Sequence, residues 1–318
     1  MNVLITGITG FVGHHLATVL RARGDVLHAL VRDAAAEAVP AGVRVHAGDV
    51  RDLDAVRAAV DASSPGAVVH LAGASSVGRS FAEPLATWDV NLGGTLAVLE
   101  AVRLSGAPIR VLAVTSGEVY GRVGGGDLPV DGDTPLSPVS PYGASKAAAD
   151  LAVAQYHHGY GLDAVRVRAF NHVGPGQDPR FVIPSIARQL AEAERAPGDD
   201  PVELRVGNVA TRRDFTDVRD VVEAYALLLE RGDPAHPYLV CSGRSVPIAE
   251  LIDGLAGMCG KEVRIVSDPQ LRRGGELPDL YGSPARVAAD TGWRPRIPLR
   301  QTLSDSLEWW RTRLDTER

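Results

Sequence analysis

Short aliphatic, β-branched runs alternate with helical stretches through the first 170 of 318 residues. Runs at 3–6, 26–31, 43–47, 67–71, 109–115 and 164–168 read as buried strands. The stretches at 13–23, 53–62, 91–104 and 141–156 read as helices; in the first, Leu16, Val19 and Leu20 fall on one stripe. Strands joined through helices require right-handed crossovers. The expected sheet is therefore parallel, doubly wound and covered on both faces.

The texture changes after Asn171. Gly174-Pro175-Gly176 and residues 198–201 are rich in turn formers. Helices are expected at 184–194, 218–230, 247–259 and 300–313, with strands at 202–206 and 263–266. This predicts a smaller, discontinuous α/β unit made from 171–216 and 243–318. Residues 1–170 and 217–242 would form the larger unit.

Composition narrows the function classes. Hydrophobic residues are 45% and charged residues 23%, as in a globular chain, and a net charge of −6 advertises no nucleic-acid surface. Cys241 and Cys259 form no CxxC, so neither a disulfide framework nor a zinc finger is expected. His14-His15 and His157-His158 are adjacent pairs, and neighbours on a helix do not face each other, so no metal site is expected. Met1-Asn2 leads straight into the first strand, and no apolar run approaches the ~20 residues that span a bilayer. The expected location is the cytoplasm, with no membrane partner.

Gly7-Ile8-Thr9-Gly10-Phe11-Val12-Gly13 sits between the first strand and the first helix. Backbone amides and the helix dipole cradle a pyrophosphate there, and the glycines permit the turn and the close approach. The expected fold class is thus a Rossmann-type α/β sheet binding a dinucleotide through Gly7, Thr9, Gly10, Phe11, Val12 and Gly13. The second strand ends Leu30-Val31-Arg32-Asp33. Val31 occupies the usual place of the acid that binds ribose hydroxyls, and Arg32 follows, suited to a 2′-phosphate. This favours NADP(H). The alternative is NAD(H), with Arg32 solvated and Asp33 in the acidic role. Gly48, Asp49 and Val50 fit an adenine contact, and His70, Leu71, Ala72 and Gly73 fit a wall beside the cofactor.

Tyr142-Gly143-Ala144-Ser145-Lys146 carries the sharpest chemical signal. A tyrosine titrates near ~10, and a lysine one turn later on the same face stabilises its phenolate. Lys146 and Lys261 are the only lysines in the chain, so this spacing is not an accident of composition. Ser116, after the fifth expected strand, can hydrogen-bond a substrate oxygen beside Tyr142. Either hydroxyl could instead serve as a turn or cap.

With these motifs in place, the chain resembles the extended short-chain dehydrogenase/reductase family that acts on nucleotide sugars. The resemblance runs the full length. It includes residues 70–78, Asn171-His172-Val173-Gly174-Pro175-Gly176-Gln177, Gly207-Asn208, residues 213–220, Cys241-Ser242-Gly243 and Thr291-Gly292-Trp293-Arg294-Pro295. These segments look most like the branch that reduces a GDP-linked 4-keto-6-deoxy-D-mannose. The resemblance implies a catalytic set of Ser116, Tyr142 and Lys146, with Tyr142 and Lys146 also touching cofactor. It implies a sugar nucleotide held by Ser75, Ser76, Asn171 and Val182, with Arg213 and Arg273 on the diphosphate and Glu276 near its ribose. It further implies a homodimer built on the helices at 91–104 and 141–156, where Ala147, Ala148 and Ala149 permit close packing. Burial under another helix of the same chain would explain those alanines equally.

Two positions depart from relatives. Gly117 stands where sugar dehydratases of the thymidine-diphosphoglucose type carry an Asp that protonates a leaving hydroxyl. Gly274 stands where the reductase pattern more often has proline. Glu118 occupies the place of the dehydratase base for C5, or else binds a sugar hydroxyl. The expected activity is NADPH-dependent reduction of the C4 ketone of a nucleotide-linked 4-keto-6-deoxy sugar, with GDP favoured. The alternative is a redox-neutral epimerase or dehydratase with tightly bound NAD. A non-catalytic dinucleotide sensor would have no use for Tyr142 and Lys146.

Overall fold

Each aliphatic run of the first half is a strand, and in all but the exposed edge strand at 44–47 neighbouring residues are buried on opposite faces. In a computed structural model, residues 1–33, 38–198, 200–268, 270 and 277–316 are described. The strands are β1 (Asn2–Thr6), β2 (Val26–Val31), β3 (Arg44–Ala47), β4 (Ala67–His70), β5 (Arg110–Ser116), β6 (Ala164–Ala169) and β7 (Pro237–Val240). They form one sheet in the order β7-β6-β5-β4-β1-β2-β3, every pair parallel. The order reverses between β1 and β4. That reversal is the switch point at which such sheets bind ligands beyond the carboxyl ends of their strands.

The strand period of two sorts the core into layers. Val3 and Ile5 face one cluster; Leu4 faces another. On the first face lie α1 (Phe11–Ala22) and the helix Val218–Arg231, which contribute Leu16, Leu20, Val221 and Tyr225. On the second lie α2 (Leu53–Ser63), α3 (Gly94–Ser105) and α4 (Pro141–Tyr160), with Val56, Val98, Leu99 and Val153. Local signals set the helix ends. The Asp52 carboxylate accepts from the amides of Asp54 and Ala55 at the start of α2. Ser140 Oγ accepts from the Gly143 amide at 3.0 Å, Pro141 opens α4, and Gly161 closes it at φ +73°.

Other segments beyond 171 build a separate apolar core, while Val287 and Trp293 join the first. Ile183, Ile186 and Leu190 of the helix Val182–Arg195 pack with Leu204, Leu251, Leu255, Leu303, Leu307 and Trp310. Here Val202–Val206 pairs in parallel with Val263–Ser267. Between the two cores, Asn171–Val173 pairs with Phe215–Asp217. Arg212–Arg213 lies between Val246–Pro247 and Asp279–Leu280. No helix of the described residues is long and apolar enough to cross a membrane.

Several features differ from the expected elements, among them the helix Ala285–Thr291 and the short strands just described. Short helices Val77–Ala82 and Pro84–Trp88 precede the long helix expected at 91–104. That helix begins as a wide π-helical turn, Asp89–Gly93, before α3. Strand β7 was hidden because four residues opened by a proline show no periodicity.

Candidate active site

The glycine loop is built by packing as well as by turn geometry. Gly7 has φ +75°, and a Cβ there would lie 2.6 Å from the Ala72 amide nitrogen. A Cβ on Gly13 would lie 2.4 Å from the Ile8 carbonyl oxygen. Gly10 is different: it is exposed, it caps α1 without a side-chain hydrogen bond, and its Cβ would meet only the Gly7 oxygen, at 3.3 Å. The first and third glycines close the loop, and the second leaves the helix N-terminus open. That opening fits a pyrophosphate. Gly7, Thr9, Gly10, Phe11, Val12 and Gly13 would hold it, with Val12 anchored in the main core and the Phe11 ring 6.0 Å from that of His172.

At the adenosine end, Val31 is buried as the last residue of β2, and Arg32 is exposed just beyond. The Asp49 carboxylate is held by the Arg51 guanidinium, 2.8 Å away, which keeps it below the usual range. Arg32 adds to that effect from nearby. Arg51 reaches on to Asp89 at 2.7 Å. Asp49 is thus committed to an arginine rather than poised as a lone ribose acceptor. Val50 packs where a Cβ on Gly94 would come within 3.0 Å.

The wall at Leu71, Ala72 and Gly73 is fixed by a buried polar chain. The Ala72 amide donates to Thr6 Oγ1 at 3.3 Å, and Thr6 Oγ1 lies 2.8 Å from His70 Nδ1. His70 Nε2 lies 3.1 Å from Thr95 Oγ1, which itself donates to the Asn91 carbonyl. This order of donors places the imidazole proton on Nε2. Burial, with the nearby Lys146 charge, pushes the His70 pKa down to about 3, so the ring stays neutral. Asn91 is fully buried; it accepts from the Ala74 amide at 2.8 Å and donates to Ser145 Oγ at 2.9 Å. A Cβ on Gly73 would sit 2.8 Å from Asn91 Oδ1 and 3.1 Å from Lys146 Nζ.

The structure brings Ser116, Glu118, Tyr142 and Lys146 together. Ser116 ends β5, and its hydroxyl accepts from the Glu118 amide and shares a hydrogen bond with Tyr142. The Tyr142 residue keeps some exposure, but its hydroxyl lies deep. Burial pushes its pKa up to about 12, opposed by Ser116 and reinforced by the Glu118 charge. Lys146, one turn on, donates to the Val114 carbonyl at 3.1 Å; burial brings its pKa down to about 8. A protonated phenol beside a serine hydroxyl and a lysine can deliver a proton to an oxygen gaining negative charge.

The expected sugar-nucleotide residues are placed less uniformly. Ser76 caps the helix Val77–Ala82 by accepting from the Arg79 amide, while Ser75 precedes it in the loop after β4. Asn171 donates to the Asp214 carbonyl at 3.2 Å. Arg213 donates to the carbonyls of Arg212 and Leu277, and Val182 opens its helix with about a third of its surface exposed. Arg273, Gly274 and Glu276 lie outside the described residues. Among the described residues, no three His, Cys, Asp or Glu side chains group to hold a metal ion.

Sequence reasoning placed His70 in the expected wall but missed Asn91 and Thr95 as its supports. A buried Asn opening an apolar helix was the available signal. Tyr225 is fully buried, and its hydroxyl has no hydrogen-bond partner among the described residues.

The GDP-mannose 4,6-dehydratase family description matches residues 4–306. This chain belongs to that family. The family is one of nucleotide-sugar enzymes of the extended short-chain dehydrogenase/reductase class. The chain is 38% identical to GDP-6-deoxy-D-mannose reductase of Pseudomonas aeruginosa, over 99% of each chain. A Pseudomonas aeruginosa RMD structure complexed with NADPH superposes with a TM-score of 0.83, at 36% identity and covering 98% of each chain. Thermus thermophilus UDP-glucose 4-epimerase in complex with NAD superposes with a TM-score of 0.85, at 32% identity over 98% of this chain and 99% of the other. A reductase structure with NADPH and an epimerase structure with NAD thus share this chain's fold.

Proposed function

We propose that the protein reduces the C4 ketone of a nucleotide-linked 4-keto-6-deoxy sugar, with GDP-4-keto-6-deoxy-D-mannose as the favoured substrate. The observation that carries this reading is the protonated Tyr142, hydrogen-bonded to Ser116, which a glycine instead of an acid follows at position 117. The 38% identity to a reductase of this substrate class supports it. NADPH, when bound, supplies the hydride. Tyr142 gives its proton to the carbonyl oxygen as charge develops there, Ser116 stabilises that oxygen by hydrogen bonding, and Lys146 stabilises the phenolate left behind.

Arg32 at the exposed end of β2 favours NADP(H) over NAD(H). The unit formed by 171–216 and 243–318 would take the nucleotide sugar, with Asn171, Val182 and Arg213 and, from the sequence, Arg273 and Glu276. We also propose a cytoplasmic homodimer. Leu96 and Leu104 on α3, Leu151 and Tyr160 on α4, and Leu85 just before α3 are exposed, apolar and on adjoining helices.

A second reading, a redox-neutral dehydratase or epimerase with retained NAD, rests on Glu118. Its charge reaches Tyr142 from the place of a base for C5. Incubation with GDP-4-keto-6-deoxymannose and either NADPH or NADH separates the two. Stoichiometric NADPH oxidation with a 6-deoxyhexose product supports the reductase. Conversion of an intact GDP-hexose to a 4-keto-6-deoxy sugar without net cofactor change supports the alternative.

A further inference from the structure

Phe170 is 5% exposed and lies in the apolar cluster beneath the Ser116–Glu118 turn, with Val119, Tyr120, Leu239 and Leu280. Its ring meets two glycines. A Cβ built on Gly117 would come 3.0 Å from Cζ, 3.1 Å from Cδ1 and 3.1 Å from Cδ2. Such even spacing to three ring atoms puts that Cβ over the face of the ring. A Cβ on Gly282 would come 2.7 Å from Cζ and 2.8 Å from Cε2. The ring has little room to withdraw. Its backbone amide donates to the Val240 carbonyl at 3.0 Å, Gly282 bridges to Val130, and the Tyr120 ring stacks at 6.4 Å.

We infer that Phe170 and Gly117 act as one specificity device: the ring fills the space that a side chain at 117 needs, and so keeps an acid away from C6 of the sugar. The inference rests on the reductase reading and deepens it. Ser116 and Tyr142 meet at the C4 oxygen, so the next residue of the turn borders C5 and C6. Elimination of water across C5–C6 breaks the C5–H bond, whose proton goes to a base, and the C6–O bond, whose oxygen leaves with a proton from an acid. Glu118 stands where that base would be. Phe170 denies the acid its place. A carboxylate at 117 would press on a buried aromatic ring and lose hydration without gaining a partner. A single Gly117→Asp substitution therefore does not install the acid; the aromatic ring has to go with it.

Two measurements test this, both without turnover. The first is a thermal-unfolding cycle of Gly117→Ala and Phe170→Ala, with Phe170→Leu as the milder partner if the alanine variant does not fold. Gly117→Ala should lower Tm by about 3–5 °C with Phe170 present and by much less once the ring is trimmed. Equal drops in both backgrounds would overturn the inference. The second is competitive binding of GDP-6-deoxymannose and GDP-mannose to the unsubstituted protein and to Gly117→Asp combined with Phe170→Ala. The double variant should shift the affinity ratio toward the 6-hydroxy sugar by about 10-fold, as a hydrogen bond to a charged group would. An unchanged ratio removes position 117 from the neighbourhood of C6. A protein that fails the NADPH assay but passes both tests loses the reductase reading while the device remains; the reverse pattern keeps the reductase and discards the device.

Discussion

Lys146 Nζ donates to the carbonyl of Val114, two residues before Ser116 on the same strand. This contact ties α4 to β5 close to Ser116. It leaves the ammonium in a poorly solvated place, and burial brings its pKa from 10.5 to about 8. The lysine therefore carries its charge at neutral pH at a cost to the folded state.

That cost is measurable. Between pH 8 and pH 10.5 the unfolded chain binds the Lys146 proton and the folded chain does not, so stability rises with pH through this window. Below it both states are protonated and the full penalty applies. Lys146→Met should abolish turnover yet stabilise the fold at pH 7, on the order of 3 kcal/mol. Urea unfolding of both proteins checks this; a less stable variant would refute it. In the unsubstituted enzyme, kcat/KM for reduction should fall as pH rises through about 8.

Tyr142 is the proton donor in the proposed reduction, and burial raises its pKa to about 12, which keeps the hydroxyl protonated. Tyr142→Phe should reduce turnover by about 100-fold or more. Binding of cofactor and nucleotide sugar, followed by titration calorimetry, should survive.

Arg32 lies beyond the strand end that would carry an acid in an NAD site. NADPH should bind more tightly than NADH, and Arg32→Ala should remove most of the difference, roughly 1–3 kcal/mol. Fluorescence titration with both cofactors decides it; equal affinities in the starting protein would show that Arg32 selects nothing.

Glu118 distinguishes sugar binding from elimination. As a contact to a sugar hydroxyl, Glu118→Gln should chiefly raise KM, because the lost binding is common to the ground and transition states. A kcat collapse with KM intact would assign the carboxylate to proton transfer instead.

Leu151 is 60% exposed in the middle of α4. Leu151→Asp should halve the mass in light scattering if that face joins two copies. An unchanged mass would place the assembly elsewhere.

The layered sheet and the Ser116, Tyr142 and Lys146 cluster were legible because each rests on local pattern. Strand runs repeat every second residue, and a tyrosine and lysine four apart share a helix face in any fold. Phe170 and Gly117 were not legible together: 53 residues separate them, and only the β5–β6 pairing, with Ser116 opposite Ala169, makes them neighbours. The polar chain from Thr6 through His70 to Thr95 escaped for the same reason, since its members come from β1, β4 and α3. Ser76 illustrates the reverse case. A hydroxyl in a motif carried a binding role by resemblance, whereas its contact in the fold is a helix cap.

The wide turn at Asp89–Gly93 makes the length of this helical stretch matter more than its composition. It takes up one residue more than a regular turn; Asn91 within it faces inward, and Leu96 and Leu104 beyond it face out. Deleting a single residue there would restore an unbroken helix with the turns on either side still in phase. What would be lost is the widened turn itself, and with it the place from which Asn91 reaches both Ala74 and Ser145. The outer positions of this stretch tolerate exchange of one residue for another, but not the gain or loss of one.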